Sequence, residues 1–312
     1  MKPQRILVTG ASGFVGRHLA RALRKAFPAA ALTLCGAHMV ELDITDAAAV
    51  EALLVSVQPE ICVHLAAVSA VSAARADPDH AWRVNLHGTL TLARAIMTHA
   101  PACVLLNVSS SEIYGQSFRS GVALDETAAA APMNMYAATK AAADLTLGAL
   151  AGDGLRTIRL RPFNHTGPGQ TDQFVVPAFA RQVARIAAGR QPPTLRVGAL
   201  DPQRDFLDVR DVCDAYVACI ERADRIASGT ILNIASGMPR RVGDILDQLL
   251  AIARITAQVE TNTGLLRPTE IPVAVGNAAR ARAELDWAPK IPWDRTLTEV
   301  FADGMTWVRA ET

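Results

Sequence analysis

Arg5-Ile6-Leu7-Val8-Thr9-Gly10-Ala11-Ser12-Gly13-Phe14-Val15-Gly16 opens the chain with a β-prone apolar run that breaks into glycines. It leads straight into a segment where Val15, Leu19, Leu23 and Ala26 recur on one face, with Arg17, Arg21, Arg24 and Lys25 elsewhere. That spacing predicts a strand over Arg5–Thr9 and a helix over Val15–Phe27. Strand, glycine turn and helix in this order are the context that a nucleotide-binding loop requires. Glycines permit the tight turn and let backbone N–H groups approach a pyrophosphate at the positive end of the helix. The spacing is G-x-x-G-x-x-G, one residue wider than the dinucleotide fingerprint, and Gly10, Ser12, Gly13, Phe14, Val15 and Gly16 are the expected cofactor contacts.

The alternation continues outward from this loop. Strands are predicted at Ala31–Cys35, Ile61–Ala66, Cys103–Ser109 and Thr157–Arg161, and helices at Ala47–Val57, Ala81–Thr98 and Tyr136–Leu150. Strands apolar on both faces need crossover helices, so the fold class is α/β with a doubly wound parallel sheet. After Arg161 the texture changes, with prolines at 162, 168, 177, 192, 193 and 202 and longer loops between helices. A dinucleotide-binding Rossmann domain is therefore expected over 1–163, rejoined by 201–235, with a smaller α/β substrate lobe from 164–200 and 236–312.

Composition excludes several classes of function. The 312 residues carry 31 Lys+Arg against 30 Asp+Glu, and a net charge of +1 offers no electrostatic footprint for nucleic acid or an anionic membrane. Apolar runs are interrupted well before 18 residues, so no membrane span is expected. The start shows no leader pattern, and five cysteines without a C-x-x-C pair read as small buried hydrophobes in a reducing compartment, hence a cytoplasmic protein. No His/Cys/Asp spacing matches a metal site, and none is expected.

Ligands of an open α/β sheet bind at the carboxyl ends of its strands. Asp43-Ile44 follows the second strand, where Asp43 could accept from an adenine amino group, and Leu65-Ala66-Ala67 offers small residues where a nucleotide passes closely. The second strand ends Leu34-Cys35-Gly36-Ala37-His38, without the acid that binds a ribose 2′-hydroxyl. Its absence removes a repulsion against a 2′-phosphate and favours NADP(H) over NAD(H), with Arg17 or His38 as the positive partner.

Tyr136-Ala137-Ala138-Thr139-Lys140 places a phenol and an ammonium one helical turn apart. A cation there is expected to lower the phenol pKa toward the range of acid–base work. The fourth strand ends Val108-Ser109-Ser110-Ser111-Glu112-Ile113-Tyr114-Gly115, and a serine in it could bond the carbonyl oxygen that Tyr136 protonates.

With these motifs together, the chain resembles the extended short-chain dehydrogenase/reductases, in their sugar-nucleotide branch. The resemblance runs over Thr9–Gly16, Asp43, His64–Ala67, Asn85, Ser109–Gly115, Tyr136–Lys140 and Arg204–Val209. It implies Ser110, Tyr136 and Lys140 as the catalytic set, Lys140 holding the nicotinamide ribose, Asn85 supporting the proton path and His165 contacting the cofactor. Arg161–Gln170, Phe174–Pro177 and Leu266–Pro272 are similar to the GDP-6-deoxy-D-mannose reductases, relatives of the GDP-mannose 4,6-dehydratases. This implies NAD(P)H reduction of the C4 ketone of a GDP-linked 6-deoxy-4-keto sugar, with GDP-D-rhamnose as product. Asn164, Arg204, Arg267, Pro268, Thr269 and Glu270 would then hold GDP, with Ser110, Ser111 and Glu112 near the sugar. A 4,6-dehydratase, a 4-epimerase and a non-catalytic NADP(H)-sensing regulator remain open on the same scaffold, the first because Glu112 is a carboxylate near C5. The family further implies a homodimer built through Asn85–Thr98 and the alanine-rich Tyr136–Leu150 helix.

Overall fold

A computed structural model describes residues 2–265 and 271–311. β1 (Arg5–Thr9) turns into α1 (Phe14–Ala26), followed by β2 (Ala31–Cys35), α2 (Ala47–Val57) and β3 (Ile61–His64). Two short helices, α3 (Val71–Ala76) and α4 (Pro78–Trp82), precede a π-helical turn at Arg83–Gly88 and then α5 (Thr89–His99). The helix predicted from Ala81 to Thr98 thus carries one widened turn. β4 (Val104–Val108), a 3-10 segment at Ser111–Ser120, α6 (Met135–Gly152) and β5 (Thr157–Pro162) complete the first half.

The second half holds β6 (Asn164–Thr166), α7 (Val175–Ala187), β7 (Thr194–Val197), β8 (Gln203–Asp208), α8 (Val209–Glu221) and β9 (Thr230–Ile234). Then come β10 (Pro239–Arg241), α9 (Val242–Ala253), β11 (Gln258–Thr261), β12 (Val273–Ala274), α10 (Ala279–Leu285) and α11 (Trp293–Ala310).

The main sheet has the order β2-β1-β3-β4-β5-β9, and every pairing in it is parallel. Its alternating side chains feed two cores. Leu7, Cys62 and Leu105 pack on Val50 and Leu54 of α2, Leu92 and Ile96 of α5 and Leu147 of α6. Ile6, Val8, Val63, Leu106, Ile158 and Leu160 pack on the opposite face with Leu19 and Leu23 of α1 and Val212 and Tyr216 of α8. Helices on both faces make the sheet doubly wound, as expected. The chain leaves β1 toward β2 on one side and toward β3 on the other, so the switch point lies at the carboxyl ends of β1 and β3.

The expected return of the chain to this sheet from Arg204 onward needs correction. β8 pairs with β10, β12 and β6 in a separate four-stranded sheet, and only α8 and β9 rejoin the main unit. Gln203, Arg204, Asp205 and Asp208 explain why: a strand covered by helices on both faces is nearly all apolar, and this one is not. A third core joins the smaller sheet to α7, α9 and α11 through Phe206, Phe179, Val183, Leu246, Leu249 and Leu297. All five cysteines are buried thiols. Among the described residues, no helix is long and apolar enough to cross a membrane.

Candidate active site

The glycine loop sits directly over the end of β3. Gly10 has φ +70°, and a Cβ there would stand 2.7 Å from the Ala66 nitrogen, so neither the turn nor the contact admits a side chain. A Cβ on Gly16 would run into the Gly10 carbonyl oxygen and the Ala11 backbone. α1 then begins at Gly13 with no side-chain cap and no acid in its first turn, which leaves its leading N–H groups and positive end directed at the loop. These features fit a pyrophosphate.

The surrounding candidates converge on this loop in different ways. Ser12 Oγ accepts from the Ala37 nitrogen at 3.1 Å and ties the loop to the turn after β2. Leu65, Ala66 and Ala67 are half-buried at the end of β3, and Ile44 is buried against the place where Gly88 lacks a side chain. Asp43 is exposed, and bonds from the Thr45 nitrogen and hydroxyl hold its carboxyl below the usual range. Phe14 of the loop stacks on His165 with ring centroids 6.3 Å apart, and His165 Nδ1 bonds the Phe163 carbonyl at 2.9 Å. Arg17 donates to the carbonyls of Ser12 (2.7 Å) and Gly169 (2.9 Å), bracing the loop against the second half. His38 is exposed and left-handed at φ 61° in the turn after β2.

Tyr136 lies in the first turn of α6, where Asn134 caps the helix by accepting from the Ala137 nitrogen at 2.8 Å. The Asn134 amide also donates to Glu112 Oε2 at 3.0 Å, so one residue orients both the helix start and this carboxylate. Ser110 Oγ accepts from the Glu112 nitrogen at 3.1 Å, leaving its hydrogen free for the bond it makes with the Tyr136 phenol. One turn on, the buried Lys140 ammonium donates to the Val108 carbonyl at 2.5 Å. Ser110, Tyr136 and Lys140 are therefore brought together, and Ser111 and Glu112 follow in the same loop.

The electrostatics differ from expectation. Burial pushes the Tyr136 phenol up to about 12, the Glu112 carboxylate adds to this, and only the Ser110 bond opposes it. Lys140 does not produce the expected lowering: desolvation of the phenol outweighs a cation whose own burial pushes it down to about 8. A phenol that holds its proton is suited to donating it.

A buried polar chain, absent from the sequence reading apart from His64 and Asn85, supports this set. Thr9 Oγ1 accepts from the Ala66 nitrogen (3.3 Å) and donates to His64 Nδ1 at 2.7 Å, because Thr89 spends its own hydrogen elsewhere and leaves the ring proton on Nε2. His64 Nε2–H then donates to Thr89 Oγ1 (3.0 Å), and Thr89 donates to the Asn85 carbonyl (2.7 Å). Burial pushes His64 down to about 3, so the imidazole is neutral. Asn85 exchanges two bonds with Val68 and donates to Thr139 Oγ1 at 2.9 Å, and Thr139 donates to the Tyr136 carbonyl at 2.8 Å. The signal available in sequence was polar residues embedded in apolar runs. One turn beyond Lys140, the fully buried Asp144 takes Arg161 at 2.8 Å and Arg159 at 3.2 Å.

In the second half, Asn164 pairs with Phe206 across β6 and β8. Arg204 donates to the carbonyls of Gln203 and Ile271, both at 2.8 Å. Its neighbours are otherwise engaged: Asp208 pairs with Arg210 at 2.6 Å, and Asp205 accepts from the nitrogens of Ser236, Gly237 and Gly276. Arg267, Pro268, Thr269 and Glu270 lie outside the described residues. Among the described residues, no group of three His, Cys, Asp or Glu side chains could hold a metal ion.

Residues 7–300 match the family described as GDP-mannose 4,6 dehydratase. A GDP-6-deoxy-D-mannose reductase from Pseudomonas aeruginosa is 35% identical over 99% of both chains. A GDP-6-deoxy-D-talose 4-dehydrogenase from Aggregatibacter actinomycetemcomitans is 30% identical over 88% of this chain and 89% of that one. Among solved structures, RMD from Pseudomonas aeruginosa complexed with NADPH superimposes with a TM-score of 0.87 at 32% identity, covering 97% of this chain and 99% of the other. The chain belongs to the GDP-mannose 4,6-dehydratase family of extended short-chain dehydrogenase/reductases.

Proposed function

We propose that this chain is a nucleotide-sugar 4-reductase, reducing the C4 ketone of GDP-4-keto-6-deoxy-D-mannose to GDP-D-rhamnose with NADPH. The observation that carries the chemistry is the Tyr136 phenol, kept protonated by burial and bonded to Ser110, with Lys140 one helical turn behind it. The substrate follows from the likeness to the Pseudomonas aeruginosa GDP-6-deoxy-D-mannose reductase.

When bound, NADPH supplies the hydride to C4. When the ketone binds, Ser110 turns its hydrogen from the phenol to O4 and so orients the carbonyl, and Tyr136 delivers its proton to the same oxygen. Lys140, charged at neutral pH, favours the phenolate left on Tyr136 and holds the cofactor ribose. Gly10, Ser12, Gly13, Phe14, Val15 and Gly16 receive the pyrophosphate, Asp43 and Ile44 the adenine side, and Leu65 to Ala67 and His165 the nicotinamide half. The β2 end, without an acid, accepts the 2′-phosphate of NADPH beside His38. Asn164, Arg204 and the segment Arg267–Glu270 hold GDP in the smaller lobe.

The working unit is a cytoplasmic homodimer joined through α5 and α6. Ala138, Ala142, Leu145 and Ala149 form one outward stripe of α6, and Leu145 is 57% exposed in the single chain. Light scattering at micromolar concentration tests this, and a monomer contradicts it. Glu112 supports a second reading, C5 deprotonation in a 4,6-dehydratase, because its charge reaches Tyr136. Supplying the protein separately with GDP-mannose plus NADP⁺ and with the 4-keto sugar plus NADPH separates the two. Turnover of the ketone alone supports the reductase, and turnover of GDP-mannose alone overturns it.

A further inference from the structure

Arg204 and Arg240 stand directly opposite each other on the antiparallel strands β8 and β10. On the other side of β8, Asn164 is opposite Phe206, two residues along from Arg204. Directly paired residues share a face, and residues two apart on a strand return to it. Asn164, Arg204, Phe206 and Arg240 therefore lie on one face of the small sheet. Asp205 is turned to the other, where it caps the Ser236–Gly237 turn.

Two guanidinium groups opposite each other repel, their Cβ atoms being about 5 Å apart in such pairs. Arg240 is nevertheless half-buried and held in place. Its guanidinium carbon lies 4.6 Å over the ring of Trp293, whose centroid is 5.8 Å from that of Phe206. Its Nε is buried without a hydrogen-bond partner, and among the described residues no carboxylate forms an ion pair with it. The next residue is different: Arg241 takes Asp201 at 2.7 Å and Asp244 at 3.3 Å. Burial works against the charge on Arg240, and Asp205 and Asp294 favour it only from a distance. A braced cation with no acid of the described residues bonded to it is arranged for an anion that arrives from outside. Planar guanidinium groups match phosphate oxygens bidentately.

We propose that Arg240, braced by Trp293, is a second cation for the diphosphate of the nucleotide sugar, acting beside Arg204. This rests on the substrate assignment above. The bond would be charge-assisted and partly desolvated, so removing the charge costs one to two decades of affinity for the diphosphate.

Calorimetric titration of the wild type and Arg240→Gln with GDP and with NADPH, at low and at high salt, tests this. The dissociation constant for GDP is expected to rise about 10- to 100-fold at low salt, with a smaller ratio at high salt, because charge pairing is screened. NADPH binding should stay within about twofold. An unchanged GDP affinity, or a loss equal at both salt concentrations, overturns the proposal, since a packing role for Arg240 has no salt dependence. A wild-type chain that does not bind GDP overturns the substrate assignment itself, which keeps the two failures apart.

Discussion

Asn85 Nδ2 donates to Thr139 Oγ1 at 2.9 Å, linking the π-helical turn at Arg83–Gly88 to the helix that carries Tyr136 and Lys140. Asn85 is fully buried, and the same side chain exchanges two further bonds with Val68. It therefore fixes the loop after β3 and the first turn of α6 relative to each other. Asn85→Ala would leave the Val68 backbone groups and the Thr139 hydroxyl short of partners. Each such loss costs about 1–3 kcal/mol, so the urea midpoint should fall substantially and kcat should fall with it. An unchanged midpoint would show that the network relaxes without Asn85.

Tyr136→Phe removes the proton donor and keeps the ring. General acid catalysis is worth roughly 10²–10⁴-fold, so kcat should drop by about that factor while GDP binding is retained. Steady-state turnover beside a GDP titration measures both. Near-normal turnover would move the acid elsewhere.

Lys140 sets an alkaline limit. Its ammonium is pushed down to about 8 by burial, so the charge it offers the phenolate is lost as pH rises through that value. The pH profile of kcat for ketone reduction should decline above about pH 8. Lys140→Ala should abolish that limb, while weakening NADPH binding and slowing the chemistry.

Asp144 is fully buried between Arg159 and Arg161. Asp144→Ala strands two guanidinium groups, and breaking a buried pair in this way costs about 3–5 kcal/mol. Arg295→Ala on α11 offers the control, because it removes only an exposed i,i+4 pair with Glu299, and such pairs contribute about 0.3–0.5 kcal/mol. Chemical denaturation of both variants should give clearly unequal losses.

His64 makes the fold sensitive to acid. Its imidazole titrates near 6.5 when unfolded and about 3 when folded, so only the unfolded chain takes up the proton between those values. Stability then falls as pH falls through that window, by about 2 kcal/mol from this group between pH 7 and pH 5. In His64→Gln that part of the pH dependence should vanish, as read from denaturant midpoints at the two pH values.

The main sheet and the glycine loop are legible in the sequence because both rest on local signals. Apolar runs of strand length alternate with 3.6-residue periodicity, and Gly10 and Gly16 occupy positions where no side chain fits. Tyr136 and Lys140 are legible for the same reason, since one turn of helix sets their relation. What was hidden is long-range. The separation of β8 from the main sheet depends on its pairing with β6, β10 and β12, none longer than three residues and each too short to announce itself. The bonds from Thr9 through His64 and Thr89 to Asn85 join segments up to 55 residues apart. The rise in the Tyr136 pKa is likewise a property of burial, which the spacing of Tyr and Lys does not report.

Incubation of the protein with GDP-4-keto-6-deoxy-D-mannose and NADPH deuterated at its transferable position addresses the proposed chemistry most directly, with the product read by NMR. Deuterium at C4 of a newly formed GDP-D-rhamnose is the expected result. Recovery of unreduced ketone with NADPH intact, or of a sugar with no deuterium at C4, would contradict a hydride transfer completed by Tyr136.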